Sequence, residues 1–260
     1  MPFAENASLR YYQFGVFPPD VIQAVFTRRG GVSPSPWATL NVGGTVGDDG
    51  ERVRENRLRS FAALGRPLES IFDVWQVHSA DVVIADGPRP VDVPHQKADV
   101  ILTRNPAVTL YMRFADCVPV MLYDPVRRAI GMVHAGWLGT VRGASRVAVE
   151  AMQTKLGSRP GDILAAIGPS IGPDHYQVGA DVLEQVSAAF GDEAGRLVAH
   201  RDGRAYLDLW ASNRLQLEQA GVRHIEVAGL CTACHTEDWF SHRAESGRTG
   251  RFGALIALST

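Results

Sequence analysis

Apolar residues dominate the middle of this chain in short runs, and Gly, Pro and Asp separate the runs. From residue 71 to 135 the runs IFDVWQVH, DVVIA, ADVILT, VTLYMRF, VPVMLYD and AIGMVHA are short and rich in Val, Ile and Tyr. That pattern predicts consecutive β-strands. VIQAVFT at 21–27 and DILAAIG at 162–168 read as strands on the same grounds, as do HIEVAGL and GALIALST near the end. The pattern changes over 51–64, where Val53, Leu58, Phe61 and Leu64 supply an apolar helical face. Asp48 or Asp49 can cap this helix, and Gly65 suits the left-handed position that closes it. Ala144, Val147, Ala148, Ala151 and Leu156 predict a second helix over about 140–156. Two more are expected near 180–190 and 208–220. Between the elements, RRGGVSPSPW, NVGGTVGDDG and GPSIGP are loops. There is no internal repeat and no linker-like stretch. One mixed α/β domain over 1–260, with most of its strands in the middle, accounts for the pattern.

Composition narrows the classes. The chain has 260 residues, 45% hydrophobic and 21% charged, with a formal net charge of -2. A sizeable core is affordable, and nothing points to nucleic acid or an anionic membrane as the main partner. No apolar run approaches the ~20 residues that span a bilayer. The start, MPFAENASLRYY, does not read as a signal peptide. Three cysteines are too few and odd in number for a secreted disulfide framework, so a reducing cytoplasm is expected.

Candidate chemistry gathers at predicted strand ends. Gln-Val-His at 76–78, Ala-Asp-Cys at 115–117 and His-Ala-Gly-Trp at 134–137 place His78, Cys117 and His134 there. Two imidazoles and one thiolate suit Zn²⁺ and, less well, copper. Three protein ligands leave one position open, as catalytic zinc sites do. Read singly, each is an ordinary core or surface residue, and Cys117 with His134 could instead be a thiol nucleophile and its base. Asp116, next to Cys117 on an extended chain, is expected to face away from the pocket. Cys231 and Cys234 form a CxxC pair without a second pair. They are expected to be two reduced thiols, at least one buried; a structural zinc with Cys117 and one His is the alternative. TRRGGVS at 27–33 and NVGGTVGD at 41–48 are Gly-rich loops whose backbone N–H groups could approach an anion. Arg28, Arg57 and Arg243 are candidate anion clamps, each with the plainer reading of a solvated surface charge.

These segments together resemble the YfiH-type family, labelled multicopper polyphenol oxidoreductase (laccase) and also described as purine nucleoside phosphorylases. The likeness runs from TRRGGVS near 27 to the C-terminus. It takes in TLNVGGTVGDDGERVRENR, WQVHSADV, ADVILT, ADCVPVMLYDP, GMVHAGWLGT, IGPSIGPDHYQVG, DLWASNRLQLEQAGV and GLCTACHTEDWFSHRAESGRTGRFGALIAL. The resemblance implies mixed sheets flanked by helices in α/β/β/α layers, with His78, Cys117 and His134 as metal ligands. It implies phosphorolysis of adenosine, inosine and methylthioadenosine, deamination of adenosine, or copper-dependent oxidation of phenols; a peptidoglycan-editing label is also attached to bacterial members. Candidate substrate-binding residues are Arg28, Asn41, Arg57 and Arg243, with purine nucleosides and inorganic phosphate as partners. The chain departs from the pattern at Leu138 (Arg in the family), Thr45 (His) and His242 (Tyr). Eight histidines in all, two of them in ligand motifs, are too few for the blue-copper site and trinuclear cluster of a multicopper oxidase.

Overall fold

The structure, a computed structural model, describes residues 2–6 and 8–259. Met1, Ala7 and Thr260, the last being the end of the expected final strand, lie outside the described residues. Strands β1 (Phe3–Asn6), β2 (Leu9–Tyr12) and β3 (Val21–Phe26) come first, then helix α1 (Gly50–Ala63). Six strands follow: β4 (Ile71–Phe72), β5 (Val82–Ile84), β6 (Val100–Thr103), β7 (Thr109–Phe114), β8 (Val118–Asp124) and β9 (Ala129–Ala135). Helices α2 (Trp137–Val141) and α3 (Ala144–Leu156) precede β10 (Leu164–Ile167) and β11 (Gln177–Val178). Then come α4 (Ala180–Phe190), α5 (Ala194–Leu197), β12 (Val198–Arg201), β13 (Arg204–Leu207), α6 (Leu209–Gln219), β14 (His224–Val227) and β15 (Phe252–Leu258).

Two six-stranded mixed sheets carry the architecture, ordered β1-β2-β3-β15-β7-β4 and β14-β10-β8-β9-β6-β5. Alternate residues of their strands serve different layers, as a period of two requires. Leu110, Met112 and Phe114 of β7 and Ala254, Ile256 and Leu258 of β15 meet Ile101, Met121, Ile130 and Met132 between the sheets. On the outer face of the second sheet, Val100, Leu102, Val120, Leu122 and Val133 pack with Ala148, Val149 and Met152 of α3. On the outer face of the first, Tyr111 and Leu255 pack with Phe61 of α1. The expected α/β/β/α layering is therefore present. It also explains why these strands read as apolar runs rather than clean alternation: both faces are buried.

The elements differ from expectation in four places. The segment expected as a strand over 71–78 is a strand only at Ile71 and Phe72, with one isolated bridge from Trp75 to Lys97, because Asp73 turns inward to an arginine cluster. The helix expected over 140–156 is two, broken where Gly143 takes φ 79°. The N-terminal pair β1–β2 and the small sheet β11-β13-β12 were not legible as strands. The second contains a hairpin closed by Asp202–Gly203, both at positive φ, the Asp-Gly signal of a tight turn. At α1, the Asp49 carboxylate caps the helix by accepting from the Glu51 and Arg52 N–H groups, and Gly65 closes it at φ 66°.

Candidate functional site

Two chain crossings and one strand end converge on one rim of the sandwich. Ala115, Asp116 and Cys117 carry the chain from β7 in the first sheet to β8 in the second. Asp116 makes that turn at φ 79°. His134 sits near the end of β9, opposite Pro119 of β8, so Cys117 and His134 share the open end of this strand pair. His78 lies on the other crossing, between β4 and β5, and is not a strand end; its φ is 58°. Left-handed backbone at a non-glycine residue costs free energy and collects at functional sites.

The side chains meet. One ligand atom from each of His78, Cys117 and His134 lies within 4.8 Å of the others, and the two imidazole centroids are 4.9 Å apart. His134 is buried, Cys117 half-buried and His78 exposed. Gly136 makes room for them: a Cβ there would stand 2.8 Å from His78 Nδ1 and 2.9 Å from Cys117 Sγ.

Asp99, just ahead of β6, organises the cluster. Its Oδ1 is 2.8 Å from His134 Nδ1. Its Oδ2 accepts from the Ser79 N–H at 2.6 Å, the Ser79 hydroxyl at 3.0 Å and the Val77 N–H at 3.1 Å. One carboxylate thus orients His134 and pins the segment that carries His78. Burial opposes its ionisation, but the His134 ring and these donors outweigh burial and hold it below the ordinary carboxylate range. A carboxylate at Nδ1 holds a proton there, so Nε2 is the nitrogen left for a cation once it gives up its own proton. Burial likewise pushes the Cys117 thiol up, but His134 and His78 outweigh that and bring it down to about 6. Burial lowers His134, and Cys117 and Asp99 overcome this to raise it to about 9. At neutral pH the sulfur is therefore anionic, the form in which cysteine binds a metal.

The cluster opens into a cavity of about 620 Å³, the size that takes a small molecule. Trp75, Trp137 and Tyr176 contribute aromatic wall, and Arg57, Arg243 and Arg251 contribute guanidinium groups. Arg57 donates to the Val42 carbonyl, Arg243 to the Gln177 carbonyl, and Arg251 to the Gly250 carbonyl. Among the described residues none of these three has a carboxylate within ion-pair distance. Arg113 also lines the cavity but is paired with Asp73.

Not every expected residue belongs here. Arg28 does not line this cavity. Its guanidinium donates to the Ala38 and Thr236 carbonyls, pairs with Glu245 and lies over the Phe240 ring. Asn41 is buried behind the wall, bridging Asp48 and the N–H groups of Gly43 and Arg251. Asp116 lines the cavity rather than facing away, because the chain there is left-handed and not extended. Its carboxylate accepts from Thr232 and from the Arg243 N–H. Cys117 is not grouped with Cys231 and Cys234; those two meet His175 instead. Sequence reasoning passed over Asp99 and Arg251. Asp99 had a signal: a charge directly ahead of a wholly buried strand demands a partner.

The model of a family described as "Multi-copper polyphenol oxidoreductase laccase" matches residues 22–259. The chain belongs to this family. A Deinococcus radiodurans protein named purine nucleoside phosphorylase is 42% identical over 238 residues, 92% of this chain and 89% of that protein. Purine nucleoside phosphorylase YlmD of Bacillus subtilis is 36% identical over 92% of this chain and 89% of its own. Among solved structures, a Bacillus licheniformis hypothetical protein YfiH superposes with a TM-score of 0.92 at 33% identity, covering 99% of both chains. In this member of the laccase-described family, Thr45 and His242 line the cavity, whereas Leu138, half-buried on α2, does not.

Proposed function

We propose that the protein is a zinc-dependent purine nucleoside phosphorylase that also deaminates adenosine at the same site. One observation carries the reading: a single cavity joins the His78–Cys117–His134 cluster, three guanidinium groups without carboxylate partners among the described residues, and aromatic wall. The names of the relatives support it. Arg57, Arg243 and Arg251 would hold phosphate by fork-shaped, charge-assisted hydrogen bonds. Trp75, Trp137 and Tyr176 would take the purine face. In phosphorolysis a phosphate oxygen forms a bond to the anomeric carbon, the glycosidic C–N bond breaks, and its electron pair leaves with the base, which takes up a proton. Guanidiniums fixed beside the phosphate lower the cost of bringing two reactants together and hold the attacking oxygen in place.

His78, Cys117 and His134 would hold zinc, since the donor set, the proton on His134 Nδ1 and the space kept by Gly136 suit a cation. When bound, zinc supplies a Lewis acid and lowers the pKa of a ligated water toward about 7, the chemistry deamination needs. The same His₂Cys set also suits copper, but the described residues offer only two three-residue groups that could hold a metal, short of a multicopper centre.

A second reading is supported by the order Cys117, His134, Asp99: Asp99 Oδ1 stands 2.8 Å from His134 Nδ1, and the Cys117 sulfur lies within 4.8 Å of a His134 ring nitrogen. That is the order of a thiol nucleophile, its base and the group that orients the base, which would suit amide hydrolysis in peptidoglycan editing.

The test incubates purified protein with adenosine, with and without phosphate, and follows adenine, inosine and ribose 1-phosphate. Phosphate-dependent adenine release is expected. Arg57→Ala, Arg243→Ala and Arg251→Ala should each raise KM for phosphate about tenfold or more, the size of a lost charge-assisted hydrogen bond, with less effect on nucleoside KM. Equal adenine release without phosphate would identify a nucleoside hydrolase instead. No conversion of any purine nucleoside would leave the thiol-hydrolase reading ahead.

A further inference from the structure

A second cluster of soft ligands lies apart from the first. His175, Cys231 and Cys234 each offer one ligand atom within 4.8 Å of the other two. His175 Nδ1 is 3.8 Å from Cys231 Sγ and 3.5 Å from Cys234 Sγ. Around a tetrahedral zinc, with Zn–N near 2.1 Å and Zn–S near 2.3 Å, nitrogen and sulfur ligands stand roughly 3.6 Å apart. The observed separations are therefore those of a set that needs little movement to close on an ion.

The backbone is arranged for the same purpose. Cys231 and Cys234 sit on one turn, closed by the His235 N–H donating to the Cys231 carbonyl at 3.2 Å. The Gly172 N–H donates to Cys231 Sγ at 3.2 Å and fixes the position of the sulfur. Cys231 is buried and held in place, while Cys234 and His175 are exposed, so an ion can reach the site from solvent. Both cysteines are free thiols.

We infer that His175, Cys231 and Cys234 form a second binding site for a thiophilic divalent cation, zinc by its ligand set, separate from the His78–Cys117–His134 cluster. Binding displaces the thiol protons and places two thiolates and one neutral imidazole on the ion, with the fourth position left to water. The ion would clasp residues 172–177 to the turn at 231–235. That clasp borders the cavity wall, because Tyr176 lines the cavity and Arg243 donates to the Gln177 carbonyl at 3.0 Å.

The experiment strips the full-length protein with a chelator under reducing conditions, adds zinc, removes the excess and counts zinc per chain. Cys234→Ser is the main variant because Cys234 is exposed and its loss leaves the core intact; His175→Gln removes a different ligand of the same set. Thermal melting confirms that each variant is folded. Cys117→Ala should retain one zinc, and adding Cys234→Ser to it should remove that zinc. In Cys117→Ala, zinc should also protect Cys234 from alkylation. Wild type with one zinc that Cys234→Ser abolishes would support this site and count against zinc at the first. Retention of all zinc by both Cys234→Ser and His175→Gln would overturn the inference, as would a Cys117→Ala protein that takes up none.

Discussion

Asp99 shows how much one side chain decides. It orients the imidazole of His134 from one oxygen and holds the His78 segment from the other. Asn at this position keeps the size but not the charge, and its amide cannot accept from every donor now served. Asp99→Asn should therefore leave the protein folded and weaken zinc binding at the first cluster about 10–100-fold, the usual effect of losing a partner behind a ligating histidine. Competition with a chromophoric chelator measures this, and unchanged affinity would show that Asp99 matters only for packing. At this scale the candidate ligands were legible in the sequence, since His and Cys are the only residue types with that donor chemistry. The residues that place them were less so. Asp99 earned no notice beside strand-forming neighbours, and Arg28 looked as promising as Arg57 until its guanidinium proved to be used within the fold.

The ligands are delivered by the ends and crossings of elements. The short β7–β8 crossing sets Cys117, β9 sets His134, and the longer β4–β5 crossing sets His78. Between β9 and α2, Gly136 passes close under the cluster. Gly136→Ala would put a methyl 2.8 Å from His78 Nδ1 and 2.9 Å from Cys117 Sγ, distances that force a ligand aside. If the cluster is the zinc site of the proposed phosphorylase, such a displacement should cost about 100-fold in nucleoside turnover and the bound zinc, while the melting temperature moves little. A variant with full turnover would mean that the cluster is not the reacting centre. Strands such as β8 and β9 were visible in the sequence because both faces are apolar. The His78 segment was misread as strand because apolar residues also line a loop that packs inward, and periodicity does not separate the two.

Asp73 joins distant parts of the molecule. Its buried carboxylate meets Arg89 at 2.8 Å, Arg113 at 2.8 Å and His95 at 3.0 Å. Burial opposes ionisation, but Arg113, His95 and Arg89 outweigh it and hold the group below its ordinary 3.8. A depressed carboxylate contributes stability that is present above its unfolded value and fades as pH falls through the folded one. Asp73→Asn should thus cost about 3–5 kcal/mol at neutral pH by leaving Arg113 unpaired, and the gap to wild type should narrow below pH 3.8. Urea unfolding at neutral and acidic pH tests this; a gap constant with pH would remove the charge from the explanation. Among the described residues no helix is long and apolar enough to cross a membrane.

The amino-acid sequence by itself determined the layer-forming strands and helices, the family, and the three residues able to hold a soft cation. These follow from local pattern and donor chemistry, which are read along the chain. Only the tertiary structure decided which arginines face the cavity, that Asp99 serves two ligands at once, and that Cys231 and Cys234 meet His175 rather than Cys117. Each of those depends on where two crossings between sheets bring side chains far apart in sequence, a distance that no period along the chain encodes.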